Sequence, residues 1–139
     1  MDYSEIVRSE LLQRGLNFIE EYGAFQFTMS SGQRRWRTLL SAENNALICC
    51  AQFPWISGGC LKTLNQLNAE SALGCFLLTE GRVVFRCGAE VFDPLTAGET
   101  AISLLRMSGN TVCRYWERIR FCGGTDCLLY TSPSPRDRG

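Results

Sequence analysis

The sequence predicts one α+β domain in which an antiparallel sheet packs against helices. Three observations predict this class. Apolar residues recur every three or four positions near the start and towards the end of the 139-residue chain, as in amphipathic helices. Between these segments lie short stretches that alternate apolar and polar residues or are wholly apolar, as strands are. Compact turn sequences join several of the strands, which favours antiparallel pairing. The expected order is α-β-β-β-α-β-β-α.

The first helix is predicted to begin at a capping box, with Asp2 as N-cap and Glu5 three residues later. Gly23 is the expected C-cap. The apolar stripe that predicts the helix consists of Val7, Leu11, Phe18 and Tyr22, widened by Leu12 and Ile19.

Three strands are predicted to follow the first helix. Phe25–Met29 alternates strictly, and Arg35–Leu40 forms the second strand beyond a Ser-Ser-Gly turn. Ala46–Phe53 is a continuous apolar run, which is typical of a central strand that is buried on both faces. Pro54 ends this third strand, because proline cannot donate a hydrogen bond to the sheet.

A short second helix is predicted before a hairpin. Leu61, Leu64 and Asn68 share one side of it, Leu67 flanks them, and Gly74 marks the exit. The hairpin turns at Glu80-Gly81, and this two-residue loop fixes its register. The expected partners are Thr79 with Arg82, Leu77 with Val84, and Phe76 with Phe85. The core face of the hairpin is expected to hold Phe76, Leu78, Val83, Phe85 and Cys87, and the other face Cys75, Leu77, Thr79, Arg82, Val84 and Arg86.

The last predicted helix is the longest. It follows Pro94, opens on a capping box from Thr96 to Glu99, and is closed by Gly123-Gly124. Its apolar stripe is Ile102, Leu105, Gly109, Val112, Trp116 and Ile119.

The composition excludes several classes of site. The chain has no histidine, which excludes Ser-His-Asp and Cys-His nucleophilic centres and histidine-ligated metals. Neither of the common glycine-rich phosphate loops occurs. Fourteen basic residues balance fourteen acidic ones, so nucleic acid is disfavoured as a partner. The acidic N-terminal segment lacks the features of a signal peptide, and no apolar run is long enough to span a membrane, so we expect a cytoplasmic protein.

The eight cysteines do not have the spacing of a metal or redox site. No CxxC pair occurs, and Cys49 and Cys50 would point to opposite faces of their strand. In a reducing cytosol we expect all of them to remain thiols that pack as small apolar side chains. The acidic residues are scattered and suggest no acid–base pair. We therefore predict no catalytic, cofactor-binding or metal-binding residues, and no enzyme.

Two other segments leave alternatives open. Arg34-Arg35-Trp36-Arg37 fits either a nucleic-acid contact, in which Trp36 stacks on a base, or a strand with solvated arginines and Trp36 in the core. Phe53-Pro54-Trp55-Ile56 is an unusually apolar connection. It is either a core-facing loop or an exposed patch for a partner.

The second half of the chain resembles the bacterial YbjN-type family of sensory transduction regulators. The residues that carry the resemblance are Leu64–Asn68, Leu73–Phe76, Gly81–Arg86 and Leu95-Thr96 at the start of the long last helix. The first half fits more loosely, through its helix, the Trp36 strand and Phe53-Pro54. The match covers roughly residues 4–121.

The resemblance implies a fold like that of type III secretion chaperones. Such proteins are commonly dimers that bind extended segments of other proteins, and they are not enzymes. The family supplies no catalytic or cofactor residues to carry over. The leading hypothesis is thus a cytoplasmic protein-binding module, as a homodimer, which binds through an apolar sheet or helix face. The alternative is a small nucleic-acid-binding regulator that uses Arg34–Arg37.

The C-terminal segment differs in character from the rest of the chain. Residues 127–137 read CLLYTSPSPRD, which is similar to the translation of a transposase adapter used in sequencing libraries. We therefore interpret residues 1–124 as a single domain and residues 125–139 as a non-native or disordered tail. Without residues 127–139 the chain has 12 basic and 13 acidic residues, and seven cysteines remain.

Overall fold

A computed structural model describes residues 3–56 and 59–128, with side chains up to residue 122. It confirms the α+β class with an antiparallel sheet. The elements within the described residues are α1 (Ser4–Gln13), β1 (Ile19–Glu21), β2 (Ala24–Ser31), β3 (Arg34–Glu43), β4 (Ala46–Gln52), α2 (Leu61–Glu70), β5 (Gly74–Thr79), β6 (Arg82–Glu90) and α3 (Pro94–Leu128).

The six strands form one sheet in the order β1-β2-β3-β4-β6-β5. Every neighbouring pair is antiparallel. Strand β4 lies in the middle, between β3 and β6, as its apolar run predicted. Helix α2 carries the chain past β6 to the outer edge, where β5 begins.

The helices cover one face of the sheet. Helix α3 packs on β3, β4 and β6, α1 packs on α3, and α2 packs beside β5. The predicted stripe of α3 is confirmed, since its apolar members from Ile102 to Ile119 belong to the core. Large inward side chains from the sheet complete this core; they include Phe25, Phe27, Trp36, Leu40, Leu47, Phe53, Phe76 and Phe85.

The first helix is shorter than predicted. It ends at Gln13, and Gly15 follows with φ of +70°, a conformation that suits glycine. The N–H of Gly15 donates to Leu12 O and that of Leu16 donates to Leu11 O, which is a Schellman motif. Beyond it, Phe18 lies in the connection and Ile19 in β1, a strand that the predicted order lacks. Tyr22 is fully exposed in the turn between β1 and β2. The prediction of a helix up to Gly23 is therefore wrong.

The predicted caps also differ at three helix ends. Asp2 lies outside the described residues, and the N-cap position of α1 is Tyr3. Helix α3 begins at Pro94, before the predicted Thr96 box, because the Asp93 carboxylate accepts a hydrogen bond from Leu95 N–H at 2.9 Å. The same helix continues through Gly123-Gly124 to Leu128 and so enters the segment interpreted as a tail.

The predicted hairpin is confirmed in register and facing. Strands β5 and β6 pair Thr79 with Arg82 and Phe76 with Phe85. Both turn residues have positive φ, 51° at Glu80 and 80° at Gly81, as a type I′ turn requires.

Strand β4 corrects another expectation, because it is buried on one face only. Leu47, Cys49 and Ala51 are buried, whereas Ile48, Cys50 and their neighbours are only partly covered. The apolar run arises because alanine, isoleucine and cysteine also occupy the second face. That second face is the candidate site.

The expectation that every cysteine remains a thiol is also wrong. Cys60, at the N-cap of α2, forms a disulfide with Cys122 on α3. The closed loop spans 62 positions and joins the start of α2 to the C-terminal part of the long helix.

Candidate binding surface: the open face of the sheet

The side chains of the sheet that point away from the helices form a surface that we call the open face. The strand register arranges these side chains in rows that cross the sheet. One row is Gln26, Leu39, Cys50, Arg86 and Cys75, and the next is Thr28, Arg37, Gln52, Val84 and Leu77. None of the helices that the structure describes packs on this face.

Apolar side chains lie among polar ones in the middle of the open face, where Arg86 separates Cys50 from Cys75 and Gln52 adjoins Val84. Leu39 and Leu77 are 40% and 39% exposed although they lie on sheet strands. A depression of about 260 Å³ lies beside Leu39; Cys50 and Val84 line it together with Gln26, Arg37, Thr38 and Gln52. We call the apolar residues of this face the apolar stripe: Leu39, Ile48, Cys50, Cys75, Leu77 and Val84. An uncovered apolar area of this kind on a sheet is typical of an interaction surface.

One end of the open face is cationic. A cleft of about 490 Å³, which we call the arginine cleft, is lined by Thr28, Arg35, Trp36, Arg37, Gln52, Pro54 and Arg82. Its three guanidinium groups form no ion pair or hydrogen bond with any side chain in the described part of the chain. Several carboxylates lie on or beside the same face: Glu43 and Glu90 at the far ends of β3 and β6, Glu21 on β1, and Glu80 in the turn that precedes Arg82.

The predicted Arg34–Arg37 run is divided between the two faces of the sheet. Arg35 and Arg37 are exposed on the open face. Trp36 is 5% exposed and contacts Trp116 edge to face at 6.1 Å, so it belongs to the core. Arg34 donates to Cys113 O at 3.0 Å and lies over the Trp116 ring. Of the two interpretations of this run, the structure therefore supports the one that places Trp36 in the core.

The connection Phe53-Pro54-Trp55-Ile56 is mainly a core-facing loop. Phe53 is fully buried, and the half-buried Trp55 contacts Trp116 at 4.7 Å. Arg120 covers the outer side of Trp55. Only Pro54 and Ile56 are exposed.

The outer edge of the sheet, strand β5, is blocked by two side chains: Asn68 on α2 and Ser71, which follows this helix. Asn68 accepts from Phe76 N–H at 2.6 Å and donates to Phe76 O at 3.0 Å. Ser71 donates to Gly74 O at 2.8 Å. These bonds occupy backbone groups of β5 that an added strand would need. The opposite edge, β1, has only three residues. Because β1 pairs only with Ala24–Gln26, the rest of β2 has no neighbouring strand on that side in the described part of the chain. The sheet is therefore accessible at its open face and along this part of β2, but not along β5.

The short edge strand β1 is joined to α1 by an ion pair. Arg8 donates two hydrogen bonds to the Glu20 carboxylate, at 2.7 and 2.6 Å. The bond from Arg8 lowers the pKa of Glu20. Both side chains are exposed enough for water and salt to weaken the pair.

Cys49 and Cys87 pair across β4 and β6, and their hydrogen bond lowers the pKa of Cys87. Cys49 donates to Ser108 Oγ at 3.4 Å within the core, and its hydrogen bond with Cys87, together with burial, raises the pKa of Cys49. Burial also raises the pKa of Cys50 on the open face. A raised pKa makes a thiol a poor nucleophile. No group of three or more potential metal ligands occurs among the described residues.

The sequence did not reveal that Arg82 lies beside Arg35 and Arg37. The hairpin register places Arg82 on the face of Val84, and strict alternation separates Arg35 and Arg37 from Trp36. What was missing is the pairing of β6 with β4, which brings Arg82 within two strands of Arg35.

No helix of the described residues is long and apolar enough to cross a membrane. Comparisons of the chain with protein-family models, with curated proteins and with solved structures find no match.

Proposed function

We propose that the chain is a non-enzymatic protein-binding module that pairs with a second copy of itself through the open face. The observation that supports this most is the uncovered apolar stripe in the middle of a six-stranded sheet. Burial of such a stripe against a matching surface releases about 25 cal/mol per Å² of apolar area. The resemblance to YbjN-type regulators and secretion chaperones, which implies dimers, is consistent with this proposal.

Self-pairing can be measured by light scattering on the full chain. We expect a dimer mass at micromolar concentration. The double change Leu39→Asp and Leu77→Asp should yield monomers, because it places two charges in the apolar stripe. Leu61→Asp with Leu95→Asp is the matched control, since both leucines are exposed away from this face.

Two results would contradict the proposal. One is a strictly monomeric wild type at micromolar concentration. The other is a dimer that the control changes disrupt as strongly as the changes in the stripe. Circular dichroism of each variant should verify that the sheet remains folded.

Nucleic-acid binding is the alternative that the arginine cleft supports, because Arg82 adds a third cation to Arg35 and Arg37. The open face offers no aromatic side chain among the described residues, so the stacking that single strands need is missing. A filter-binding signal that is unchanged by Arg35→Ala and Arg37→Ala would eliminate this alternative.

We also propose that the protein has no thiol-dependent activity and acts in the cytoplasm. The raised pKa values of Cys49 and Cys50 support the first statement for these two thiols. The Cys60–Cys122 disulfide counts against the second, because disulfides are rare in a reducing compartment. A reactivity profile that identifies a hyper-reactive thiol would contradict the absence of thiol chemistry.

A further inference from the structure

We propose that the arginine cleft is a binding site for the phosphate groups of a small phosphorylated molecule. The cleft brings Arg35, Arg37 and Arg82 together with the Thr28 hydroxyl and the Gln52 amide. Guanidinium forks match phosphate oxygens with two parallel hydrogen bonds, and hydroxyl and amide groups complete such sites. The proposal does not depend on self-pairing.

The sheet register fixes how closely the three arginines approach. Arg35 and Arg37 are two residues apart on β3, so their Cα atoms are about 7 Å apart. Arg37 pairs with Gln52, and Gln52 pairs with Val84, two residues from Arg82. Strands β3 and β6 are separated by one strand, or about 10 Å. Arginine side chains are long enough for all three guanidinium groups to reach one anion between them.

The three arginines of the cleft form no ion pair in the described part of the chain. Glu21 on β1 and Glu80 in the hairpin turn are nearer, but neither forms an ion pair with the three arginines. Glu43 and Glu90 are eight residues along their strands from Arg35 and Arg82, or about 27 Å. That distance is well beyond the screening length of about 8 Å at physiological salt. Like charges in one concavity repel each other, and an anion removes that repulsion.

The size and lining of the cleft favour a small molecule. About 490 Å³ lies within the range of small-ligand pockets. A single-stranded nucleic acid would need stacking platforms, which the strands of the open face lack in the described residues. Asn68 and Ser71 block the β5 edge, so an extended acidic peptide would have to pair with β2 beyond its contact with β1, and the experiment below includes such a peptide.

Titration calorimetry with inorganic pyrophosphate at constant ionic strength tests the proposal on the full chain. We expect one pyrophosphate per chain, and at least tenfold weaker binding in Arg35→Gln, Arg37→Gln and Arg82→Gln. Arg86→Gln is the matched control, because Arg86 is on the same strand and face as Arg82 but does not line the cleft. Its affinity should remain within about twofold of the wild type.

Three outcomes would overturn the assignment. If all four changes weaken pyrophosphate binding equally, the ion responds to a general positive field. If neither the wild type nor the Leu39→Asp, Leu77→Asp variant binds pyrophosphate, the site is ruled out. A single-stranded oligonucleotide or a glutamate-rich peptide can compete with pyrophosphate for the cleft. If either displaces it while supplying a lower molar concentration of negative charge than the pyrophosphate does, the cleft would be assigned to that macromolecule. A monomeric protein that still binds pyrophosphate would contradict only the proposed self-pairing, and a dimer that does not bind it would contradict only the phosphate site.

Discussion

Asn68 connects α2 to the outermost strand, and its replacement by alanine should destabilise the fold measurably. Its side-chain amide makes both hydrogen bonds to the backbone of Phe76, at 2.6 and 3.0 Å. Asn68→Ala removes the donor and the acceptor together. The N–H and C=O of Phe76 then face the sheet edge without a protein partner.

The size of the loss follows from the two bonds. A net hydrogen bond contributes about 1 kcal/mol, and a buried group left without a partner costs about 1–3 kcal/mol. Because Asn68 is exposed, water replaces part of each bond, so we expect a loss of about 1–2 kcal/mol in the free energy of unfolding. Alanine is the better helix former by up to about 0.7 kcal/mol, which offsets part of this loss.

Asn65→Ala is the control that isolates the hydrogen bonds. Asn65 is exposed on the same helix, so its change carries the same propensity gain without the contacts to β5. In urea unfolding, the free energy of unfolding of Asn68→Ala should be about 1–2 kcal/mol lower than that of Asn65→Ala, with unchanged m-values. Equal stabilities would refute the role of Asn68 at this edge.

Three further changes test the interior and the cross-link. Gly74→Ala should lower the free energy of unfolding, measured by heat or urea, by about 1–3 kcal/mol. The added Cβ would lie 2.6 Å from both the β6 backbone and the Phe85 ring, and an unchanged stability would contradict this close approach. Thr38→Val should stabilise the protein by about 1 kcal/mol in the same assay, since the buried hydroxyl has no hydrogen-bond partner, and a loss would mean that a partner exists. Cys60→Ser should lower the free energy of unfolding by up to about 4 kcal/mol, because it opens the 62-position loop that the bond to Cys122 closes. A reductant should lower the stability of the wild type by the same amount and leave the variant unchanged. A wild type whose stability is insensitive to reductant would contradict the cross-link.

Local signals predicted the parts of the fold that depend on short-range geometry. Glu80-Gly81 permits a two-residue loop with two positive φ values, and this loop alone fixed the register of β5 and β6. The stripe of α3 was evident because a long amphipathic helix repeats its pattern several times. The strict alternation of Phe25–Met29 indicated a half-buried strand for the same reason.

Features that depend on long-range packing were not evident. The apolar residues after Gly15 continued the helical period, and only the glycine signalled that α1 ends there. The run Ala46–Phe53 suggested two buried faces because small apolar residues do not reveal which side helices cover. The arginine cleft requires the order β3-β4-β6, which no local pattern encodes.

Cys50 and Cys75 provide the most direct test of the open face as a self-pairing surface. Both thiols are half-buried on that face, whereas Cys113 is a half-buried thiol on α3 and serves as the internal control. Alkylation rates should be followed by mass spectrometry while the protein concentration crosses the dimerisation range. We predict that Cys50 and Cys75 become protected as dimers form and that Cys113 does not. Dimers that leave Cys50 and Cys75 as reactive as in the monomer would contradict pairing through the open face.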